Sequence, residues 1–185
     1  MVSVLKTVKW NLDDYHRMID GGILTDRRVE LLWGEIVEMA PEGTPHAHLS
    51  SRAGDYIRSK LAGRAKVREE KPITLPNASE PEPDIAVVQD LGEEYFEHHP
   101  YPENIFWLIE YADASLKKDL EIKIQIYAEA GILEYWVVNL KTMELVVFKE
   151  PTENGYQQQE TLTEGQVYPV AFVDVALAVR SFIRR

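Results

Sequence analysis

Two apolar runs constrain this chain more than any other feature. The first, Ile85-Ala86-Val87-Val88, is entered through Pro83-Asp84. The second, Ile105-Phe106-Trp107-Leu108-Ile109, follows Asn104 and ends on Glu110. Continuous apolar runs of this length read as strands buried on both faces, because a strand with one wet face alternates. The sheet they imply must be covered on both sides, and each run carries a carboxylate at one end.

The remaining segments supply the cover. Asn11 is placed to cap a first helix, with Leu12, Tyr15 and Ile19 at helical spacing and Gly21-Gly22 as a stop. Val29 to Leu32 and Glu35 to Met39 read as strands turning at Trp33-Gly34, with Glu30 on the hairpin's solvent face in its plainest reading. Thr44-Pro45 signals a helix start, and Leu49, Ala53, Tyr56, Ile57 and Leu61 then form one apolar stripe. His46 and His48 fall in its first turn, either as ligand or substrate contacts or as surface residues of the helix start. Val67 to Leu75 alternates like a strand but is broken by Pro72. Gln89 to Glu103 reads as a long surface loop or a short helix that could flank a site, with His98-His99-Pro100 better read as loop than as a metal cluster.

A third helix is expected from about Ser115 to Ala130, stopping at Gly131. Leu116, Leu120, Ile124 and Ala128 form an apolar row, with Asp119, Lys123 and Tyr127 as a polar row beside it. A lysine between apolar rows either snorkels to solvent or meets an acid. Glu134 to Leu140 and Met143 to Lys149 read as a hairpin about Lys141-Thr142, followed by short pieces at Tyr156 to Leu162, Val167 to Val170 and Leu177 to Ile183. With 185 residues and no composition shift, residues 1–185 are expected to form one domain. Exposed-looking apolar groups in the terminal pieces, among them Val2, Val4, Phe172 and Phe182, suggest either a sealed subunit contact, for which a homodimer is the commonest closed form, or a cover for the chain's own sheet edge.

Composition narrows the function classes. There is no cysteine, so disulfides and thiolate metal sites are excluded. No stretch approaches the roughly 18 apolar residues of a membrane helix, and a cytoplasmic location is expected. The net charge of −11 argues against broad adhesion to DNA. Local basic clusters remain, at Arg58, Lys60, Arg64, Lys66 and Arg68 and at Lys117, Lys118 and Lys123.

If the two central strands are neighbours, Asp84 and Glu110 can converge at one sheet end. Two oxygen-donor acids in a cleft suit a hard divalent cation, Mg²⁺ or Mn²⁺, which keeps several waters. Such an ion activates water and polarises a phosphoryl oxygen, while a lysine nearby stabilises the negative charge that grows there. The set fits metal-assisted phosphodiester hydrolysis. The plainer alternative has Asp84 capping a strand entry and Glu110 paired with Lys123.

Pro83-Asp84 followed by Leu108-Ile109-Glu110 resembles the PD-(D/E)XK nuclease superfamily. The wider pattern is similar to its Uma family of bacterial endonucleases, long filed as a domain of unknown function. The matching words are Glu30-Leu31-Leu32-Trp33-Gly34-Glu35-Ile36-Val37, Met39-Ala40-Pro41 with His46, and Pro83-Asp84-Ile85. They continue through Glu110, Ser115, Asp119, Lys123 and Tyr127 to Ala130-Gly131-Ile132-Leu133-Glu134-Tyr135-Trp136. The resemblance implies an α/β (α+β) fold with a restriction-endonuclease-like core: a mixed central β-sheet flanked by α-helices, with additional β-hairpins. It implies a Mg²⁺- or Mn²⁺-dependent endonuclease acting on DNA, with Asp84 and Glu110 as metal ligands and Lys123, Glu30 and Tyr127 completing the catalytic set. His46, Lys117 and Lys118 are candidate substrate contacts. The chain departs from the superfamily's simplest motif at Ala112, where the lysine would stand; the resemblance assigns that role to Lys123 on the following helix. The rival classes are a non-catalytic nucleic-acid-binding or regulatory module on the same fold and a hydrolase of small phosphoesters.

Overall fold

The computed structural model describes residues 7–113 and 119–184. Within them, the chain runs α1 (Leu12–Asp20), β1 (Val29–Leu32), β2 (Glu35–Glu38), α2 (Thr44–Leu61), β3 (Lys66–Glu69), β4 (Ile85–Val88) and β5 (Ile105–Ala112). A π-helical turn at Asp119–Lys123 leads into α3 (Ile124–Glu129), then β6 (Glu134–Asn139), β7 (Glu144–Thr152), β8 (Gly155–Leu162), β9 (Gln166–Val167), β10 (Leu177–Ala178) and α4 (Arg180–Ile183). Ser115, Lys117 and Lys118, like Val2 and Val4, lie outside the described residues.

The two apolar runs are central strands of a six-stranded mixed sheet ordered β3-β4-β5-β6-β7-β8. Only β5 and β6 pair in parallel, joined by the crossover that contains α3. Alternation along β5 assigns the faces. Trp107, Ile109 and Tyr111 pack with Leu49, Ala53, Ile57 and Leu61 of α2 and with the C-terminal segment. Leu108 and Ala112 pack with Ile126 and Tyr127 of α3 and with Leu32 of the first hairpin. Glu110, between Leu108 and Ala112, therefore belongs to the α3 face.

Several boundaries differ from the sequence reading. Gly43, rather than Thr44, is the N-cap residue of α2, and no side chain caps that helix. The strand expected over Val67 to Leu75 ends at Glu69, where Glu70 takes a left-handed φ of 48°. Leu177 to Ile183 divides into β10 and α4. Phe172 and Phe182 are buried, not exposed: Phe182 sits edge-on to Trp136 at 5.4 Å and Phe172 edge-on to Trp107 at 5.8 Å. They cover the chain's own sheet, and so offer no surface for a subunit contact.

The first hairpin is anchored at its turn. Gly34 has φ 72°, its carbonyl accepts from Trp10 N–H, and its N–H donates to Ala78 O, both at 2.8 Å. A Cβ there would stand 2.7 Å from Trp10 O. Gly34→Ala is expected to cost about 1–3 kcal/mol of stability through left-handed strain and displacement of that crossing segment. A denaturant midpoint unchanged from the parent would refute it.

Candidate active site

The antiparallel register of β4 and β5 pairs Ile85 with Ile109. One step beyond the ladder, Asp84 stands across from Glu110. Asp84 Oδ2 accepts from the backbone N–H of Tyr111 at 2.5 Å. Its other oxygen, Oδ1, is 2.9 Å from His46 Nε2 on α2. Asp84 thus turns toward the α2 layer, whereas Glu110 turns toward α3. Between them opens a cavity of about 190 Å³ whose walls include Asp84, Glu110, His46, Lys123 and Tyr111.

Lys123 resolves the alternative left open by the sequence. It is 2% exposed and does not snorkel. Its Nζ lies 2.7 Å from Glu110 Oε1 and 3.2 Å from Glu30 Oε2. Tyr127, one helical turn on, donates its hydroxyl to the same Glu110 oxygen at 3.0 Å. Lys123 closes the π-helical turn and Tyr127 lies in α3, so the spacing of four puts both on one side of the element, facing β5. Insertions of this kind recur at functional sites.

Glu30 is fully buried. The solvent-face reading of the hairpin fails because β1 is buried at all four positions: α1 packs on its Val29 and Leu31 side, while Glu30 shares the other side with Leu32 and faces Lys123. Glu30 also accepts from Glu82 N–H at 3.4 Å. His48 is exposed, as its plainer reading had it. Of the sequence's candidate residues, the structure brings together Glu30, His46, Asp84, Glu110, Lys123 and Tyr127. Lys117 and Lys118 are outside the described residues.

The cavity is acidic. Glu42, Glu70, Glu82, Asp84, Glu110 and Asp113 line it, against Arg28, Lys123 and His46. Burial raises the Glu82 carboxyl above its usual range, against the pull of Arg28. Burial alone would lower His46, but the contact with Asp84 and the charges of Asp84, Glu42 and Glu110 more than offset it, so the ring is raised. Burial, reinforced by Asp84, also pushes the Tyr111 hydroxyl far up, and it stays neutral. A surface of this sign repels a phosphodiester and attracts a cation.

The donors present fit a hard divalent cation. Two carboxylates share one cavity, and the buried His46 Nε2 has no hydrogen bond. Among the described residues no three His, Cys, Asp or Glu side chains form a ready-made cage. Mg²⁺ characteristically binds through one or two carboxylates and retained waters instead of such a cage.

Sequence reasoning missed Tyr111, whose N–H fixes Asp84, although it directly follows Glu110. It also missed Arg28, Glu42 and Glu82. The basic run from Arg58 to Arg68 is in large part neutralised by acids. Arg58 pairs with Glu69 at 2.5 Å, Arg64 with Asp174 at 2.5 Å, and Lys66 lies 3.8 Å from Asp90. An unanticipated concavity of about 520 Å³ is lined by Arg52, Tyr56, Arg180, Ser181 and Arg184, with no acid among them.

Comparison with known proteins agrees with this architecture. A profile of the family described as "Uma2: Putative restriction endonuclease" matches residues 12–180. A search of curated proteins finds no match. Among solved structures, the chain is similar to one described as a putative nuclease belonging to DUF820 from Anabaena variabilis, with a TM-score of 0.76 and 18% identity. The alignment covers 96% of this chain and 98% of that one. At that identity the likeness establishes the fold, a mixed central sheet flanked by helices with added hairpins. Among the described residues, no helix is long and apolar enough to cross a membrane.

Proposed function

We propose, from the premise that this chain belongs to the Uma2 family of putative restriction endonucleases, that it is a Mg²⁺- or Mn²⁺-dependent endonuclease of DNA using Asp84, Glu110 and Lys123. The observation that carries this reading is the buried Lys123 ammonium held between Glu30 and Glu110 on the wall of the Asp84 cavity. An ion pair that served only to stabilise the fold gains little from burial, since desolvation offsets the attraction. A cation kept in a fixed place beside two candidate ligands is what charge stabilisation in a transition state requires.

Asp84 and Glu110 would hold the metal, which supplies an activated water and a neutralising charge at the phosphoryl oxygens. The chain's own residues do the rest. Tyr111 N–H fixes one Asp84 oxygen and so orients the carboxylate. Tyr127 OH and Lys123 Nζ share Glu110 Oε1, which fixes the second carboxylate and the ammonium relative to each other. Lys123 Nζ meets negative charge as it grows on the scissile phosphate, and Glu30 keeps that ammonium in place.

Substrate must approach a cavity lined by six acids, so binding should need a divalent ion even when no bond is cut. Ca²⁺ is expected to support DNA binding without cleavage, and EDTA to abolish it, as read by fluorescence anisotropy. The slope of affinity against salt should be shallow, because a protein of charge −11 can neutralise few phosphates. Removing Arg180 and Arg184 together should weaken binding on any sequence and flatten that slope by about one unit for each phosphate no longer neutralised. Salt-dependent binding with no products in Mg²⁺ would instead identify a binding module. Turnover of a simple model diester with polynucleotide ignored would identify a small-phosphoester hydrolase.

A further inference from the structure

The contact between His46 and Asp84 is short but is not a hydrogen bond. Their atoms Nε2 and Oδ1 are 2.9 Å apart, yet the buried ring nitrogen has no partner in hydrogen-bonding geometry. The oxygen therefore lies off the axis along which that nitrogen donates or accepts. A buried polar atom left this way costs free energy unless something else satisfies it.

We propose that His46 Nε2 is a nitrogen ligand of the divalent cation, bound beside Asp84 Oδ1. This inference rests on the metal-dependent reading above and adds to it a ligand of a different chemical type. Adjacent ligands of an octahedral ion with bonds of about 2.1 Å stand about 3 Å apart, and the two atoms have that separation. Their mismatch with a hydrogen bond has the same cause, since an ion on the nitrogen's axis leaves a neighbouring ligand to one side of it. Imidazole suits first-row transition ions better than Mg²⁺, so a nitrogen ligand should shift the site's preference from Mg²⁺ toward the transition series that begins with Mn²⁺. His46 owes its place to the first turn of α2, where Pro45 and the buried Leu49 and Ser50 set the helix against the sheet.

The test uses the full chain loaded with Mn²⁺. Electron spin-echo modulation of the bound ion reports directly coordinated nitrogen, and titration calorimetry reports affinity. The wild type is expected to show nitrogen modulation that changes when histidine is ¹⁵N-labelled. His46→Gln should lose the modulation and bind Mn²⁺ at least about tenfold more weakly. The labelling arm needs no variant, so it decides the matter even if His46→Gln fails to fold; none of the other four histidines lines the cavity. Bound Mn²⁺ without nitrogen modulation, released by Asp84→Asn, would overturn the His46 ligand while leaving the metal reading intact. A wild type that binds no Mn²⁺ would overturn both.

Discussion

Lys123→Ala is expected to lower DNA cleavage by about 10²–10³-fold, the range seen when one preorganised donor to a developing oxyanion is removed. Mn²⁺ affinity should change little or rise, because an ammonium is not a ligand and its removal leaves the acids more negative. The same substitution should cost about 3–5 kcal/mol of stability, since it leaves Glu30 and Glu110 buried without their shared counter-charge. The two effects separate by rescue. Adding Glu30→Gln to Lys123→Ala removes one uncompensated carboxylate and should recover part of the stability, but none of the rate. Denaturant unfolding measures the first and single-turnover cleavage the second. A folded Lys123→Ala protein with wild-type cleavage would show that another cation does this work.

Asp84→Asn should reduce Mn²⁺ affinity by more than about 100-fold and leave no detectable cleavage. The change is nearly isosteric, and its carbonyl oxygen can still accept from Tyr111 N–H. The fold should therefore survive, so that the fall in affinity reflects charge and ligation alone. Calorimetry with a circular dichroism control makes the measurement. Wild-type affinity in a folded Asp84→Asn protein would remove Asp84 from the metal site.

Much of this arrangement was legible in the sequence where local pattern and topology agree. The apolar runs became β4 and β5 because strands covered on both faces admit few polar residues. Asp84 and Glu110 face one cavity because the antiparallel pairing brings the head of one run beside the end of the other. Lys123 and Tyr127 share a face by their spacing of four. The rest depended on long-range packing that no local pattern records. His46 and Asp84 meet across the packing of α2 on the sheet, far apart in the chain. Glu30 reads as an outward acid on any hairpin until the Leu32 side of its strand packs on the main core and brings it to Lys123. The run from Arg58 to Arg68 looks basic in sequence, yet Arg58 pairs with Glu69, while Arg64 is neutralised by an acid over 100 residues away. Apolar terminal pieces look the same whether they cover a sheet or a second subunit. Phe172 and Phe182 cover the sheet.

The measurement that bears most directly on the central claim is a cleavage gel. Linear duplex and single-stranded DNA are incubated with wild type, Asp84→Asn, Glu110→Gln and Lys123→Ala, each with Mg²⁺, Mn²⁺ or EDTA. The expected result is DNA cut by the wild type in Mg²⁺ or Mn²⁺ alone, with no cutting by the two carboxylate variants and a slow residue of it in Lys123→Ala. Cutting that persists in EDTA or in Asp84→Asn, or DNA left whole by the wild type under every condition, would contradict it.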